Sequence, residues 1–216
     1  MLNFLLAMNS VELFGLVFGI LAVWLLIKEN IWTWPVGIAY IIASLYIFYE
    51  SRLYADFALH LFFFVMSLYG WYYWLKGGDR SEPDLPVTHE NTTLLAALLG
   101  LCFLMIFISG SWFAANTDAD LPYWDNTTSF LSLLAMWLQS RKKIESWILW
   151  FVIDVLAVGI YFVKGISFYS LLYLIYLGMA IMGYTAWRKS MADNRNADTE
   201  LEGSEDDDRN YSPDRA

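Results

Sequence analysis

The chain has few of the residues that build metal sites, disulfides or phosphate-binding loops. One cysteine and two histidines among 216 residues exclude an intrachain disulfide and make a transition-metal cluster implausible. No G-x-x-x-x-G-K-[ST] loop occurs, which argues against ATP-driven work within the chain. No basic stripe occurs either, so we expect no nucleic-acid partner. No serine, histidine and aspartate fall together on facing segments, and we predict neither catalysis nor a cofactor.

Apolar residues make up most of the chain. Hydrophobic residues account for 58% of it and aromatic residues for 19%, with a mean hydropathy of +0.45. Runs of about 20 apolar residues recur, and each can cross a hydrocarbon core of about 30 Å. We therefore predict an all-α polytopic membrane protein in a bacterial inner membrane. Its seven transmembrane helices are expected at about 11–28, 31–49, 54–75, 91–113, 126–140, 144–163 and 168–187.

Charge divides the chain into a membrane domain, residues 1–189, and an acidic tail, residues 190–216. The net charge is −9, and the tail is polar with almost no apolar residues, so we expect it to be disordered. Lysine and arginine favour the cytoplasmic side of a membrane. This rule predicts that the N-terminus lies outside and the tail inside. Two basic residues, Arg52 and Lys164, then lie on the outer side. The eight on the cytoplasmic side are Lys28, Lys76, Arg80, Arg141, Lys142, Lys143, Arg188 and Lys189.

Short matches indicate that the first three helices resemble the last three. Repeat one would cover about 11–75 and repeat two about 126–187, with a linker helix at about 91–113. A single linker gives both triplets the same orientation, which is a parallel 3+1+3 repeat. At an offset of 113 positions, Ala22–Trp24 matches Ala135–Trp137, Gly70 matches Gly183, and Trp74 matches Trp187. At an offset of 116 positions, Glu29 matches Glu145 and Trp34 matches Trp150.

Asp154 is the strongest candidate for a functional residue. It falls near the middle of the sixth predicted span, where a carboxylate costs roughly 2.5–3.5 kcal/mol on insertion scales. Trp147 and Trp150 precede it by two turns and one turn and share its helical face. An anionic site with aromatic walls suits a flat organic cation. In the alternative interpretation, Asp154 pairs with a neighbouring helix and the tryptophans are interface anchors.

Polar and aromatic residues at helical spacing in the other spans could complete this substrate site. The third span carries the one intramembrane histidine on a partly polar face, and the fifth carries polar residues near its ends. The seventh span contributes tyrosines, and the second begins with a tryptophan before a proline. The predicted substrate-binding residues besides Asp154, Trp150 and Trp147 are His60, Phe64, Asp125, Gln139, Tyr173, Tyr176 and Trp34.

The chain resembles the PnuC-type nicotinamide riboside transporters from about position 11 to 189. The resemblance rests on Leu53–Asp56, Tyr69–Trp71 with Trp74, Pro122–Asp125, Arg141–Glu145, and Trp147 with Trp150. It implies a 3+1+3 bundle similar to the SWEET sugar transporters. It also implies facilitated diffusion of the vitamin, made one-way by phosphorylation in the cytoplasm. A homotrimer is expected from the same resemblance.

Two departures from the family pattern bear on the substrate. Members of this family commonly have glutamine at the position of His60 and asparagine at the position of Ser146. Thiamine, carried by related members, is also a flat aromatic cation and is the alternative substrate, whereas riboflavin is neutral. The more distant alternatives are a membrane-embedded enzyme acting on a lipid and a non-transporting membrane interaction protein. Nicotinamide riboside is the first prediction.

Overall fold

The computed structural model describes residues 10–76, 85–117, 122–163, 165 and 167–210. This part of the chain folds into seven helices, which confirms the all-α prediction. The helix bounds lie close to the predicted spans, except that the last helix ends at Asn210 and not near residue 187. Arg80 and Lys164, both used to predict the orientation, lie outside the described residues. The helices are α1 Ser10–Ile27, α2 Thr33–Glu50, α3 Tyr54–Leu75, α4 Thr92–Asn116, α5 Pro122–Ser140, α6 Glu145–Val163 and α7 Ser167–Asn210.

The acidic tail differs from its expected disorder. Helix α7 continues to Asn210, so the tail is helical up to that residue, and residues 211–216 lie outside the described part. No proline interrupts the sequence before Pro213, and alanine, arginine, methionine and glutamate favour a helix. A helix already nucleated by packing can extend through such residues.

Within the described residues, three helices are long and apolar enough to cross a membrane by length and composition alone. They cover Thr92–Asn116, Glu145–Val163 and Tyr169–Ala197, and a shorter apolar helix covers Leu13–Ile27. Helices α2, α3 and α5 are rich in tryptophan, tyrosine and small polar residues, which lower hydropathy. These residue types suit helices that pack on one another inside a membrane bundle.

Backbone geometry supports the predicted repeat. Every described non-glycine residue with positive φ, together with Gly165, falls into pairs that are 113 positions apart. Glu29 (φ 54°) pairs with Lys142 (φ 57°), and Arg52 (φ 58°) pairs with Gly165 (φ 71°). Few non-glycine residues adopt this left-handed conformation, so chance is a poor explanation for its recurrence at equivalent connections.

Tryptophan packing gives the same register. The Trp34 ring occupies the space beside Gly70 and meets Trp74 edge-on, with ring centroids 5.3 Å apart and an interplanar angle of 89°. The Trp147 ring packs beside Gly183 and meets Trp187 in the same way, at 5.4 Å and 87°.

The structure therefore corrects one sequence match. The equivalent of Trp34 is Trp147, so the offset of 116 is wrong and one offset of 113 holds throughout. The false match arose because two tryptophans lie three residues apart on α6. With the corrected offset, the first-triplet equivalent of Asp154 is Ile41, a buried apolar residue.

Helix contacts divide the bundle into two triplets and one further helix. Consecutive helices pack together in α1–α3 and again in α5–α7. The triplets meet where the first helix of each contacts the third helix of the other, α1 with α7 and α5 with α3. Helix α4 packs against α5. The two triplets therefore pack directly against each other, with α4 on the side of α5.

Candidate functional site

Asp154 is buried in the middle of α6. Its relative exposure is 6%, and it lies nine residues from each end of Glu145–Val163. The ion pairs within the described residues join His89 with Glu145 and Lys142 with Glu29. Neither includes Asp154, so pairing with a basic side chain of a neighbouring helix does not explain this carboxylate. A buried carboxylate without a cationic partner is suited to binding a cation.

Two tyrosines of α7 lie near Asp154, and a tyrosine of the first triplet lies near both of them. Tyr173 and Tyr176 of α7 lie within electrostatic range of the carboxyl group and of Tyr40 on α2. A Cβ built on Gly19 would lie 2.9 Å from the Tyr176 hydroxyl oxygen and 3.3 Å from the Tyr40 ring. Gly19 thus allows α1 to approach these rings closely, as a side chain there would not.

His60 adds a hydrogen-bond acceptor on the first-triplet side. Its Nδ1 lies 2.9 Å from the backbone carbonyl oxygen of Asp56. A carbonyl only accepts, so Nδ1 carries the proton and a neutral ring presents Nε2 as an acceptor. The rings of Phe48, Phe63 and Tyr40 lie 4.7, 5.3 and 6.1 Å from the imidazole between centroids.

The predicted Phe64 is adjacent to the phenylalanine that meets His60. The ring in contact with the imidazole is that of Phe63. One residue along a helix rotates a side chain by about 100°, so Phe64 lies on a different face of α3 from Phe63.

A ladder of tyrosines leads from the site towards the end of the bundle opposite the lysine-rich connections. Tyr161 stacks on Tyr173 at 5.4 Å and 13°, and on Tyr169 at 5.2 Å and 25°. Asp125 and Asp56 are exposed in the first turns of their helices, within electrostatic range of Tyr161. The structure therefore places the predicted Asp125 at the mouth of this pathway and away from Asp154.

Trp150 and Gln139 contact each other. The indole Nε1 of Trp150 donates to Oε1 of Gln139 over 2.7 Å, joining α6 to α5. The Gln139 carbonyl is occupied by this bond, so its amide nitrogen keeps the donors that could reach a ligand. Trp150 is half-buried and one turn from Asp154 on the same helix, which leaves part of its ring available for stacking.

Trp34 and Trp147 occupy the core. Each is 2% exposed and fills the space over a glycine, as described above. They form a layer with Trp74 and Trp187 on the lysine-rich side of the tyrosines. Their position makes them the floor of the candidate site.

Tyr40, Gly19 and Tyr161 were not predicted as site residues from the sequence. Tyr40 could have been found with the corrected register, because it precedes Ile41, the equivalent of Asp154. Gly19 carries no sequence signal beyond a small-residue spacing, which usually serves helix packing. The stacking of Tyr161 depends on the angle between α6 and α7.

Comparisons with known proteins agree with the helical bundle and with the resemblance seen in the sequence. The family model described as "Nicotinamide mononucleotide transporter" matches residues 9–189. The nicotinamide riboside transporter PnuC of Escherichia coli is 28% identical, over 85% of this chain and 87% of that protein. The riboflavin/roseoflavin transporter RibM of Streptomyces davaonensis is 24% identical, over 85% and 87%. The crystal structure of the vitamin B3 transporter PnuC is similar in fold, with a TM-score of 0.68 and 22% identity, over 85% and 82%.

Proposed function

The chain belongs to the nicotinamide mononucleotide transporter family, and on this premise we propose that it takes up nicotinamide riboside. Like its relatives, it is a membrane transporter of a vitamin-type substrate, and it is not an enzyme. The finer proposal is facilitated diffusion across a bacterial inner membrane. Phosphorylation of the substrate by a cytoplasmic kinase would trap it and make uptake one-way.

One observation carries the choice of substrate: Asp154 is buried without a basic partner among the described residues. Nicotinamide riboside has a pyridinium ring with a fixed positive charge. That charge would balance the carboxylate, while the flat ring would stack on Trp150 or Tyr173. Its hydroxyl and carboxamide groups would then meet the tyrosine hydroxyls and Nε2 of His60. These contacts satisfy the polar groups that the site buries.

The two triplets suggest a path for transport. The residues around the site come from α1, α2 and α3 on one side and from α6 and α7 on the other. Rocking of a parallel 3+1+3 repeat about this site would expose it to each face in turn. We propose that the lysine-rich end faces the cytoplasm and that the tyrosine ladder opens outside, with the N-terminus outside.

We further propose a homotrimer. Helix α4 is apolar on all faces, and its exposed large side chains include Phe103, Phe107 and Trp112. This surface is suited to lipid or to a neighbouring copy. Mass measurement of the protein in native membranes or detergent tests the trimer directly.

A vitamin panel tests the proposed substrate. We expect nicotinamide riboside to raise the melting temperature of purified protein, and riboflavin at equal concentration to leave it unchanged. Ligand binding stabilises the folded state by about 2.7 kcal/mol at a concentration of 100 Kd, which is readily detected. Thiamine, the alternative substrate, shares the charge and flatness, so its effect relative to nicotinamide riboside identifies the vitamin. Stabilisation by riboflavin alone would contradict the proposal.

His60 is expected to recognise a donor group of the substrate. His60→Leu should weaken nicotinamide riboside binding by about tenfold, because it removes one hydrogen-bond acceptor worth about 1–1.5 kcal/mol. His60→Gln keeps an acceptor and should stay within about threefold of the parent. His89→Leu is the matched control, since His89 is exposed and pairs with Glu145 away from the site. Equal losses for leucine and glutamine at position 60, measured by titration calorimetry, would contradict this role.

A further inference from the structure

Two helix connections meet across the triplet boundary at the lysine-rich end. Lys142, in the connection between α5 and α6, places its Nζ 2.8 Å from Oε2 of Glu29, in the connection between α1 and α2. The same Nζ donates to the Leu85 carbonyl over 2.6 Å and lies 4.9 Å from the centre of the Trp74 ring. Lys142 is only 6% exposed, so its charge is largely withdrawn from water, whereas the side chain of Glu29 is 22% exposed.

A layer of four tryptophans lies directly inside this ion pair. Trp34 and Trp74 come from the first triplet, and Trp147 and Trp187 from the second. Trp74 and Trp187 join the two pairs, with ring centroids 6.3 Å apart. None of the four is more than 7% exposed. Because each triplet supplies half of the layer, it stays closed only while the triplets remain together at this end.

The closed layer leaves several polar groups unsatisfied. The indole nitrogens of Trp34, Trp74 and Trp147 are buried with no hydrogen-bond partner among the described residues, whereas that of Trp187 donates to the Leu26 carbonyl over 3.1 Å. Unpaired buried donors destabilise the arrangement that buries them. Separation of the triplets would let water reach these groups and would offset part of the cost of opening.

A segment before α4 fixes one partner of the ion pair. The Thr88 amide donates to the Lys142 carbonyl over 3.2 Å, and the Ile144 amide donates to the Thr88 carbonyl over 3.1 Å. The side chain of Lys143 donates to the Thr88 hydroxyl over 3.1 Å. Lys142 is thus held with the second triplet, whereas Glu29 belongs to the first. The ion pair therefore crosses the boundary between the two triplets.

We propose that the Glu29–Lys142 ion pair and the four-tryptophan layer form the cytoplasmic gate, which opens when Lys142 separates from Glu29. This inference rests on the proposed transport cycle and its orientation. A gate at this point would hold substrate beside Asp154 until the triplets part at the lysine-rich end. Buried charges that are paired in one state and hydrated in the other give such a gate two defined positions.

Cysteine accessibility tests the gate without any vitamin. Tyr176→Cys, in a Cys102→Ser background, places a thiol about 16 Å along α7 from Trp187, on the inner side of the layer. The reporter is labelled with a membrane-impermeant maleimide, added to inside-out and to right-side-out vesicles. Glu29→Gln and Lys142→Met should each raise the labelling rate from the lysine-rich face at least fivefold. Lys28→Met, an exposed neighbour of Glu29 outside the ion pair, should leave the rate unchanged.

A double variant makes the test specific. Glu29→Gln and Lys142→Met break the same ion pair, so combining them should raise the labelling rate to within about twofold of the faster single variant and no further. If the neutral variants fail to accumulate, Glu29→Asp, which keeps the charge and shortens its reach, should raise labelling at least twofold. Parent-like rates in the single variants, or a double variant whose increase is the product of the two single increases, would overturn the proposal whatever vitamin is carried.

Discussion

Asp154→Asn should weaken nicotinamide riboside binding by roughly 30- to 150-fold. The substitution preserves the shape of the side chain and removes its charge. Two unit charges about 5 Å apart at an effective dielectric constant near 20 attract by about 3 kcal/mol. A loss of about 2–3 kcal/mol corresponds to that change in affinity, which titration calorimetry or a thermal-shift titration measures.

The matched control is Asp125→Asn, which removes an acidic charge at the exposed mouth of the tyrosine ladder. Water screens that position, so we expect less than a threefold change. Uptake through the Asp154→Asn variant should fall in parallel with affinity, without loss of folded protein. If this variant binds nicotinamide riboside as tightly as the parent does, Asp154 does not balance the charge, and the reason for preferring a cation is lost.

Gly183→Ala should lower the melting temperature by about 5–10 °C, although alanine favours a helix more than glycine does. A Cβ at this position would overlap the ring of Trp147, which is itself fixed against Trp187. Overpacking of this kind typically costs 1–3 kcal/mol of stability. The melting temperature of a protein of this size falls by about 2–4 °C for each kcal/mol lost. The repeat predicts a similar loss for Gly70→Ala, where the added carbon would meet Trp34.

Gly178→Ala on the same helix is the control, because a Cβ there meets no atom within 4 Å. It should leave the melting temperature unchanged or raise it slightly, since alanine is preferred over glycine in helices. Combining Gly183→Ala with Trp147→Phe should recover part of the loss through the smaller ring. A Gly183→Ala variant that is as stable as the Gly178→Ala variant would show that this packing does not support the fold.

The helices could be predicted because their signal is local. Apolar runs long enough for a bilayer, separated by short polar connections such as Lys28–Asn30, placed the first six helices close to their observed bounds and the seventh close to its first residue. The repeat was detectable from Gly70 and Gly183, which are needed because a tryptophan packs on each. Its register was not secure, because Trp147 and Trp150 are both plausible equivalents of Trp34 until their contacts are seen.

The site could be predicted only in part. Asp154 was identifiable because a carboxylate at mid-membrane is costly wherever the fold places it. Tyr40 and Gly19 belong to helices distant in sequence and join the site through the packing of the triplets. Trp34 and Trp147 share residue type and spacing with ligand-stacking residues, and only their burial over glycines places them in the core. The ion pair of Glu29 with Lys142 joins positions separated by a whole triplet.

Uptake of labelled nicotinamide riboside into proteoliposomes that hold the purified protein tests the central claim most directly. In the absence of ATP and ion gradients, the label should equilibrate with the external concentration. Excess unlabelled nicotinamide riboside should block entry, and excess riboflavin should not. Movement of labelled riboflavin without movement of nicotinamide riboside would contradict the account, because the buried carboxylate of Asp154 would then have no cation to bind.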